Sequence, residues 1–198
     1  MSDRIDAIRQ ALARPGSQTS DFDLNPDVVL PEGRKLRNAG VLAPIVEAPD
    51  GLRMLLTKRS SALKHHPGQI AFPGGKQDEG DADVIAAALR EAREEIGLPS
   101  DLVEVLGTLE AHETVTGFQV TPVFAFVRDS FDIRPEPGEV EEVFSVPLDH
   151  LLDPANYMVE SRRWRGSRRH YFVVPYGPYY IWGATARMLR AWAERMKS

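Results

Sequence analysis

The chain has 198 residues, of which 42% are hydrophobic and 27% charged, and its formal net charge is -5. This composition is typical of one globular domain with a sizeable core, and the acidic balance argues against general binding to nucleic acids or anionic membranes. The absence of cysteine excludes disulfides, thiolate metal sites and cysteine nucleophiles. Because the sequence has no apolar run long enough for a membrane span and no apolar signal-peptide core at its N-terminus, we expect a cytoplasmic enzyme or binding protein.

The N-terminal part of the chain predicts a short helix followed by an extended arm. Residues 3–13 carry apolar side chains on one helical face, and Pro15 and Gly16 would end that helix. The segment that follows is rich in Pro, Ser, Asn and Asp, which is typical of a loop or arm. We therefore separate residues 1–36, as helix and arm, from a main domain formed by residues 37–198.

The main domain predicts strands on both sides of one central helix. Residues 39–48 and 52–59 are strand-like runs separated by PDG, which is a hairpin signal. After a long loop, the clearest helix covers residues 84–96, with Asp81 or Asp83 as its N-cap and Gly97 after its end. The remaining predicted elements are strand-like runs at 102–114, 118–129, 168–176 and 179–182, a strand and helical turn within 137–153, and a last helix from Gly183. Since strands and helices do not alternate regularly, this order predicts an α+β fold with a mixed β-sheet between helices.

Three glutamates, Glu91, Glu94 and Glu95, crowd into the last turns of the central helix. The i,i+4 like-charge pair costs about 0.2–0.5 kcal/mol, and the negative end of the helix dipole disfavours each anion by about 0.3–1 kcal/mol. A solvated acidic face is one interpretation. A bound divalent cation is the other, because the preceding AFPGGK lets a backbone approach a ligand closely. Oxygen ligands of this kind suit Mg²⁺ shared with substrate phosphates, and Arg90 would brace the carboxylates.

The segment that contains these glutamates, GGKQDEGDADVIAAALREAREEIGL, resembles the Nudix box. The pattern of that box is G-x5-E-x7-R-E-U-x-E-E-x-G-U, in which U is a bulky aliphatic residue. The second half matches at Arg90, Glu91, Ala92, Glu94, Glu95, Gly97 and Leu98. In the first half there is one residue too many before Arg90, and Asp81 or Asp83 replaces the early glutamate. The resemblance implies the Nudix fold, a mixed sheet between helices in an α/β/α arrangement.

The segment before the box resembles the additional signature of the coenzyme A pyrophosphatase branch of the Nudix hydrolases. That signature reads L-L-T-x-R-[SA]-x3-R-x3-G-x3-F-P-G-G, and the chain matches it at Leu55, Leu56, Thr57, Arg59, Ser60, Gly68, Phe72, Pro73, Gly74 and Gly75. Lys64 stands where the second arginine is written, which keeps the charge but loses the bidentate fork. The C-terminal YYIWGATARML is similar to that branch too, so the resemblance covers about residues 37–190.

The resemblance implies a metal-dependent hydrolase that cleaves the pyrophosphate bond of coenzyme A or its derivatives. The products would be 4'-phosphopantetheine and adenosine 3',5'-bisphosphate, and the cofactor Mg²⁺ or Mn²⁺. It implies a catalytic role for Arg90, Glu91, Glu94 and Glu95. The same three glutamates, together with the Gly74 carbonyl, would hold the metal. The general base stays open between Glu91 and a glutamate outside the box, for which the candidates are Glu139, Glu141 and Glu142.

Substrate binding is expected from Arg59, Lys64, Gly74 and Gly75. A basic group should receive the 3'-phosphate of coenzyme A, since arginine captures phosphate well. A second basic cluster, RRWRGSRR at residues 162–169, also qualifies, although a solvated hairpin tip is the simpler interpretation. We favour Arg59 and Lys64 because the branch signature includes them. The adjacent histidines at 65 and 66 are interpreted as loop residues.

Two alternatives remain at this stage. One is a Nudix pyrophosphatase that acts on ADP-ribose, NADH or dinucleoside polyphosphates, with the same mechanism and a different cavity. The other is a non-catalytic nucleotide-binding module, against which the three retained carboxylates argue. The expected partner is thus a small-molecule nucleotide, with no nucleic acid and no membrane. A homodimer is left open, as is whether the arm packs on its own domain or on a partner subunit.

Overall fold

The computed structural model describes residues 2–64, 66–164 and 166–197. The helices are α1 (Ser2–Ala13), α2 (Val84–Ile96), α3 (Leu148–Leu152) and α4 (Gly183–Lys197), with short 3-10 turns at Ser100–Leu102 and Pro154–Asn156. The strands are β1 (Thr19–Ser20), β2 (Arg37–Ala48), β3 (Gly51–Arg59), β4 (Ile70–Ala71), β5 (Gly74–Lys76), β6 (Val103–Thr108), β7 (His112–Glu113), β8 (Phe118–Val127), β9 (Val140–Pro147), β10 (Met158–Trp164) and β11 (Ser167–Val173). The predicted α1, α2, α4 and β2–β3 hairpin are confirmed.

The main sheet is mixed and has β2 near its centre. Its strands follow the order β1-β7-β8-β2-β3-β4, while β5 pairs with β2, β6 with β8 and β9 with β3. The pairs β2–β8 and β1–β7 are parallel, and the other pairs are antiparallel. β10 and β11 form a separate antiparallel hairpin. The predicted α+β class with a mixed sheet is confirmed.

Helices cover both faces of this sheet because each contributes one apolar stripe. On one face, Ala92 and Ile96 of α2 belong to the same buried cluster as Leu42 of β2. On the other face, α1, α3 and α4 share a larger cluster, in which the Trp192 ring lies 4.8 Å from the ring of Phe124. Full burial of each such side chain stabilises the fold by about 1.5–3 kcal/mol. The sheet is therefore the middle layer of an α/β/α sandwich.

The N-terminal helix and arm pack on the sheet of the same chain. α1 contributes buried side chains to the larger cluster, and β1 pairs in parallel with β7. The side chain of Asn25 accepts a hydrogen bond from the His170 backbone N–H at 2.8 Å and donates one to the His170 carbonyl at 2.9 Å. The arm is thereby fastened to β11. The domain boundary at residue 36 stays a prediction.

Several local expectations were wrong. Residues 179–182 do not form a strand, because the chain reverses at Gly177, where φ is +55°, and folds back on itself. Only isolated bridges result, between Tyr176 and Tyr179 and between Val173 and Trp182. The strand β10 was not predicted either, nor were the short strands β1, β4 and β5, which lie in segments predicted as an arm or a loop. None of the helices within the described ranges is long and apolar enough to cross a bilayer.

Candidate active site

Three carboxylates converge where the end of α2 meets β5. Glu91, Glu95 and Glu139 each offer one oxygen, and these oxygens lie within 4.8 Å of one another. Glu95 is buried, Glu91 is partly buried and Glu139 is exposed. We call these three residues the carboxylate cluster. It is closed on the side of the helix and open to solvent on the side of Glu139.

Helix α2 presents two of these carboxylates because its ends are well defined. The Asp83 carboxylate accepts a hydrogen bond from the Ala86 backbone N–H at 2.8 Å, so Asp83 is the N-cap. Gly97 ends the helix in the left-handed conformation, with φ of +74°. Between these ends, the buried residues of α2 fix its rotation against the sheet. Glu91 and Glu95, one turn apart, therefore face β5.

The two glycines of β5 let the backbone approach these glutamates. The Gly74 N–H donates a hydrogen bond to Glu95 Oε2 at 3.2 Å. A Cβ atom placed on Gly75 would lie only 2.5 Å from Glu91 Oε1. Both glycines pair with β2, Gly74 opposite Val41 and Gly75 opposite Gly40. A glycine is thus required at residue 75 to accommodate the Glu91 carboxylate.

Glu139 reaches the cluster because the loop before β9 caps the end of α2. The backbone N–H groups of Arg134 and Glu136 donate to the carbonyls of Ile96 at 3.0 Å and Glu95 at 2.9 Å. These carbonyls lack partners within the helix. A turn closed by the Glu139 N–H and the Glu136 carbonyl then delivers Glu139 beside α2.

Burial perturbs the acidity of the cluster. Desolvation raises the pKa of Glu95 to about 8, and the Glu91 and Glu139 charges raise it too, although the Gly74 hydrogen bond and the Arg59 charge oppose this. Burial also raises the pKa of Glu91, against the opposing effect of Arg90. Two carboxylates are therefore held together with too little positive charge around them.

Arg90 ties the loop before α2 to the helix. Its Nε and Nη2 donate to the two oxygens of Asp81 at 3.0 and 2.9 Å, and its Nη1 donates to Glu91 Oε1 at 3.0 Å. Nη2 also donates to the Lys76 carbonyl at 3.2 Å. The paired hydrogen bonds from Arg90 lower the pKa of Asp81 to about 2. Of the two aspartates considered as N-cap, Asp81 thus contacts Arg90 and Asp83 caps the helix.

Glu94 lies apart from the carboxylate cluster. Its side chain accepts a hydrogen bond from Arg90 Nη1 at 3.2 Å and is 60% exposed. It lines a surface depression of about 520 Å³ on the outer side of α2, together with Arg93 and Leu89. The structure therefore brings Glu91, Glu95, Gly74 and Gly75 together, with Arg90 beside them. Metal ligation by Glu94 stays a prediction.

The other candidate bases differ from Glu139 in their surroundings. Glu141 forms an ion pair with Lys58 at 2.7 Å. Glu142 accepts a hydrogen bond from the Tyr179 hydroxyl, which raises the pKa of Tyr179. Sequence analysis could not separate these three glutamates. Glu139 joins the carboxylate cluster because its loop is hydrogen-bonded to the end of α2.

A large cavity lies next to the carboxylate cluster. It has a volume of about 690 Å³, and its walls come from the N-terminal arm, the loop after β3, the β10–β11 hairpin and the start of α4. Arg59 and Lys64, both predicted to bind substrate, line it. Val41, which pairs with Gly74, lines it as well, and the charge of Arg59 acts on Glu95. The cavity therefore lies beside the carboxylate cluster.

Sequence analysis missed part of this wall. Phe22 and Asn25 of the arm line the cavity, which no local pattern indicates. Arg162 and Arg169 line it too, although the simpler interpretation placed their cluster at a solvated hairpin tip. The exposed His66 also lines it. Expectations for His65 and Arg165 fall outside the described residues.

The donor set of the carboxylate cluster fits a hard divalent cation. Within the described ranges, this is the group of acidic and histidine side chains whose atoms are close enough to share an ion, and all its donors are oxygens. Oxygen-only sites suit Mg²⁺, Mn²⁺ or Ca²⁺ rather than softer metals. The raised pKa of the buried Glu95 also favours a bound cation, because a cation would supply the positive charge that this carboxylate lacks.

Comparisons with known proteins agree with this geometry. A model of the NUDIX domain family matches residues 36–165. A protein named as the uncharacterized Nudix hydrolase NudL of Cronobacter sakazakii is 42% identical over 154 residues, which are 78% of this chain and 80% of that protein. The protein of the same name in Escherichia coli O1:K1 / APEC is 44% identical over 154 residues, which are 78% of this chain and 80% of that protein. Among solved structures, the MutT protein from Methanosarcina mazei Go1 has a TM-score of 0.50 at 18% identity, over 83% of this chain and 95% of that one, which shows a shared fold.

Proposed function

This chain belongs to the Nudix family and is a pyrophosphatase, and we propose that its substrate is coenzyme A or one of its derivatives. Cleavage would give 4'-phosphopantetheine and adenosine 3',5'-bisphosphate. The observation that carries this proposal is a carboxylate cluster suited to a divalent cation beside a cavity lined by four cationic side chains. The first feature fits a diphosphate, and the second fits a substrate with more negative charge than a diphosphate alone.

The proposed cofactor is Mg²⁺ or Mn²⁺. Glu91 and Glu95 would hold it, with Glu94 and the Gly74 carbonyl as the further ligands predicted from the sequence. When bound, a divalent ion neutralises charge on the phosphate oxygens and lowers the pKa of a coordinated water. The Gly74 N–H keeps one Glu95 oxygen directed towards β5, which fixes the carboxylate before any ligand arrives.

The chain's own part in hydrolysis is to place a water molecule and to accept its proton. We assign the proton to Glu139, because it is the exposed member of the cluster and can meet water from solvent. The water oxygen forms a bond to one phosphorus, and the bond from that phosphorus to the bridging oxygen breaks. The bridging oxygen leaves with the electron pair as part of the second phosphate product. Arg59 would offset the charge that develops on these oxygens.

Arg90 is a positioning residue in this scheme. It does not line the large cavity, but it is hydrogen-bonded to Asp81, Glu91 and Glu94 at once. Removing it would release both the loop before α2 and the Glu91 carboxylate. Loss of such an orienting partner typically weakens metal affinity or activity by about 10–100-fold.

Support for coenzyme A comes from the residues that match the branch signature. Arg59 and Lys64 both line the cavity, and Gly74 and Gly75 lie against the carboxylates beside it. A cavity of about 690 Å³ is within the usual range for a small-molecule site of about 300–1,000 Å³. A cytoplasmic location and a homodimer stay predictions.

The test is a comparison of substrates with purified protein. Coenzyme A, ADP-ribose, NADH and a dinucleoside polyphosphate are each incubated with Mg²⁺ or Mn²⁺ in H₂¹⁸O, and the products are identified by mass spectrometry. We expect the highest kcat/KM for coenzyme A, with ¹⁸O in only one product. A higher kcat/KM for another substrate would overturn the coenzyme A assignment. Cleavage that survives chelation would overturn the metal site, and binding without cleavage of any substrate would indicate a non-catalytic module.

A further inference from the structure

Two arginines face each other across the β10–β11 hairpin. Arg162 and Arg169 are register partners in this antiparallel pair, and both line the large cavity. Directly opposed residues of antiparallel strands project to the same side and lie close together. Like charges in such a pair destabilise a hairpin. A negative charge placed between the two arginines would therefore stabilise the hairpin.

Neither arginine of this pair has an ion-pair partner among the described residues. Within the same parts of the chain, the Arg169 Nε is buried without a hydrogen-bond partner. Glu160, two residues before Arg162 on β10, accepts a hydrogen bond from the Tyr180 hydroxyl at 2.6 Å instead. Asp21, which also lines the cavity, accepts a hydrogen bond from the Val115 N–H at 2.8 Å.

The Arg162 guanidinium is already arranged for a ligand. Its central carbon lies 4.3 Å from the centre of the Trp182 ring and 6.0 Å from that of Tyr171. Such stacking occupies the face of the guanidinium and leaves the N–H groups at its edge available. Those edge groups match the oxygens of a phosphate in a bidentate geometry.

The positive charge of Arg162 and Arg169 lies on a different element from the positive charge of Arg59, which is proposed to act at the diphosphate. Arg59 is the cavity arginine whose charge acts on Glu95, and it comes from β3. Arg162 and Arg169 come from the β10–β11 hairpin, which is a separate sheet. One site thus presents two cationic regions on different elements, in a protein whose net charge is -5.

We infer that Arg162 and Arg169 bind a phosphomonoester that the substrate carries in addition to its diphosphate. The substrate class is a nucleotide with a further phosphate on its sugar. This inference rests on the proposed function, because it places that phosphate within the same site. It also reassigns the capture of the extra phosphate from Arg59 and Lys64 to the hairpin.

The test measures binding to the Mg²⁺-loaded protein by isothermal titration calorimetry. The probes are adenosine 3',5'-bisphosphate, adenosine 2',5'-bisphosphate and adenosine 5'-monophosphate. Since hydrogen bonds to charged groups are strong, we expect one bisphosphate to bind about 10- to 100-fold more tightly than the monophosphate. Arg162→Gln and Arg169→Gln should each reduce that preference by about tenfold.

The next register pair provides a matched control. Arg163 and Arg168 lie on the same hairpin, are exposed and do not line the cavity. Arg168→Gln removes the same charge from the same strand, so it should keep the bisphosphate preference. Equal preferences in wild type, Arg169→Gln and Arg168→Gln would overturn the inference. If Arg169→Gln does not fold, as judged by circular dichroism, the comparison of Arg162→Gln with Arg163→Gln decides.

Turnover of coenzyme A and dephospho-coenzyme A separates this inference from the proposed function. If neither compound is cleaved but Arg169→Gln still abolishes the bisphosphate preference, the proposed substrate is wrong and the phosphate site stands. If both are cleaved with the same kcat/KM, and Arg169→Gln leaves their ratio unchanged, the phosphate site is wrong and the proposed activity stands.

Discussion

Replacing the buried Glu95 by glutamine should stabilise the metal-free protein while abolishing its activity. Burial raises the pKa of Glu95 from an ordinary 4.5 to about 8. Between these values the folded protein holds a proton that the unfolded chain does not, so the free energy of unfolding falls as the pH rises. The slope is about 1.4 kcal/mol per pH unit, or roughly 3 kcal/mol between pH 5 and pH 7. Glutamine has the same shape and no charge, and it can still accept the Gly74 hydrogen bond. The free energy of unfolding of Glu95→Gln should therefore not fall in this way as the pH rises.

The assay is urea unfolding in the presence of EDTA at pH 5, 6 and 7, with the free energy obtained by linear extrapolation. The difference between Glu95→Gln and wild type should grow with pH. Glu79→Gln, which removes an exposed carboxylate from the loop before α2, should follow wild type at each pH. Added Mg²⁺ should then stabilise wild type at pH 7 and have little effect on Glu95→Gln. A difference that stays constant from pH 5 to pH 7 would refute the argument that Glu95 is a buried carboxylate lacking a cation.

Three further predictions concern the same site. Glu139→Gln should lower kcat by about 10²- to 10⁴-fold, with little change in melting temperature because Glu139 is exposed. The control Glu136→Gln in the same loop should keep full kcat, and a wild-type kcat for Glu139→Gln would exclude Glu139 as the base. Gly75→Ala should weaken Mn²⁺ binding by about 10- to 100-fold, because its methyl group would displace the Glu91 carboxylate, while Gly80→Ala enters open space and should bind normally. Mn²⁺ binding at pH 7 should release a proton, which titration calorimetry in two buffers of different ionisation enthalpy would reveal; an enthalpy independent of the buffer would contradict it.

The sequence predicts the parts of this site that local periodicity determines. The spacing of Glu91, Glu94 and Glu95 in a helix with one apolar face predicts one acidic arc, of which Glu91 and Glu95 join the carboxylate cluster and Glu94 does not. The adjacent Gly74 and Gly75 predict a close backbone approach. Their assembly follows because helix and strand periods are fixed by backbone geometry. The fold class could be predicted for the same reason, from the order of strands and helices.

Parts that depend on contacts between distant segments could not be predicted. The choice of Glu139 over Glu141 depends on backbone hydrogen bonds between its loop and the end of α2. The strand β10 lies in a two-stranded ribbon outside the main sheet, and its residues 158–163 are exposed, so it lacks the alternation that indicates a strand. The cavity wall formed by the arm depends on contacts such as that of Asn25 with His170, which are 145 residues apart.

The fastening of the arm through Asn25 has a consequence for how the protein can be shortened. A truncated version starting at residue 36, where the family match begins, would keep every carboxylate of the cluster. It would also lose the arm that packs on β11. The backbone of His170 would then lose its hydrogen bonds with the Asn25 side chain, and one side of the large cavity would open. Because it would also lose the side chains of α1 that are buried in the larger core cluster, we expect such a fragment to be both less stable and less selective between nucleotides.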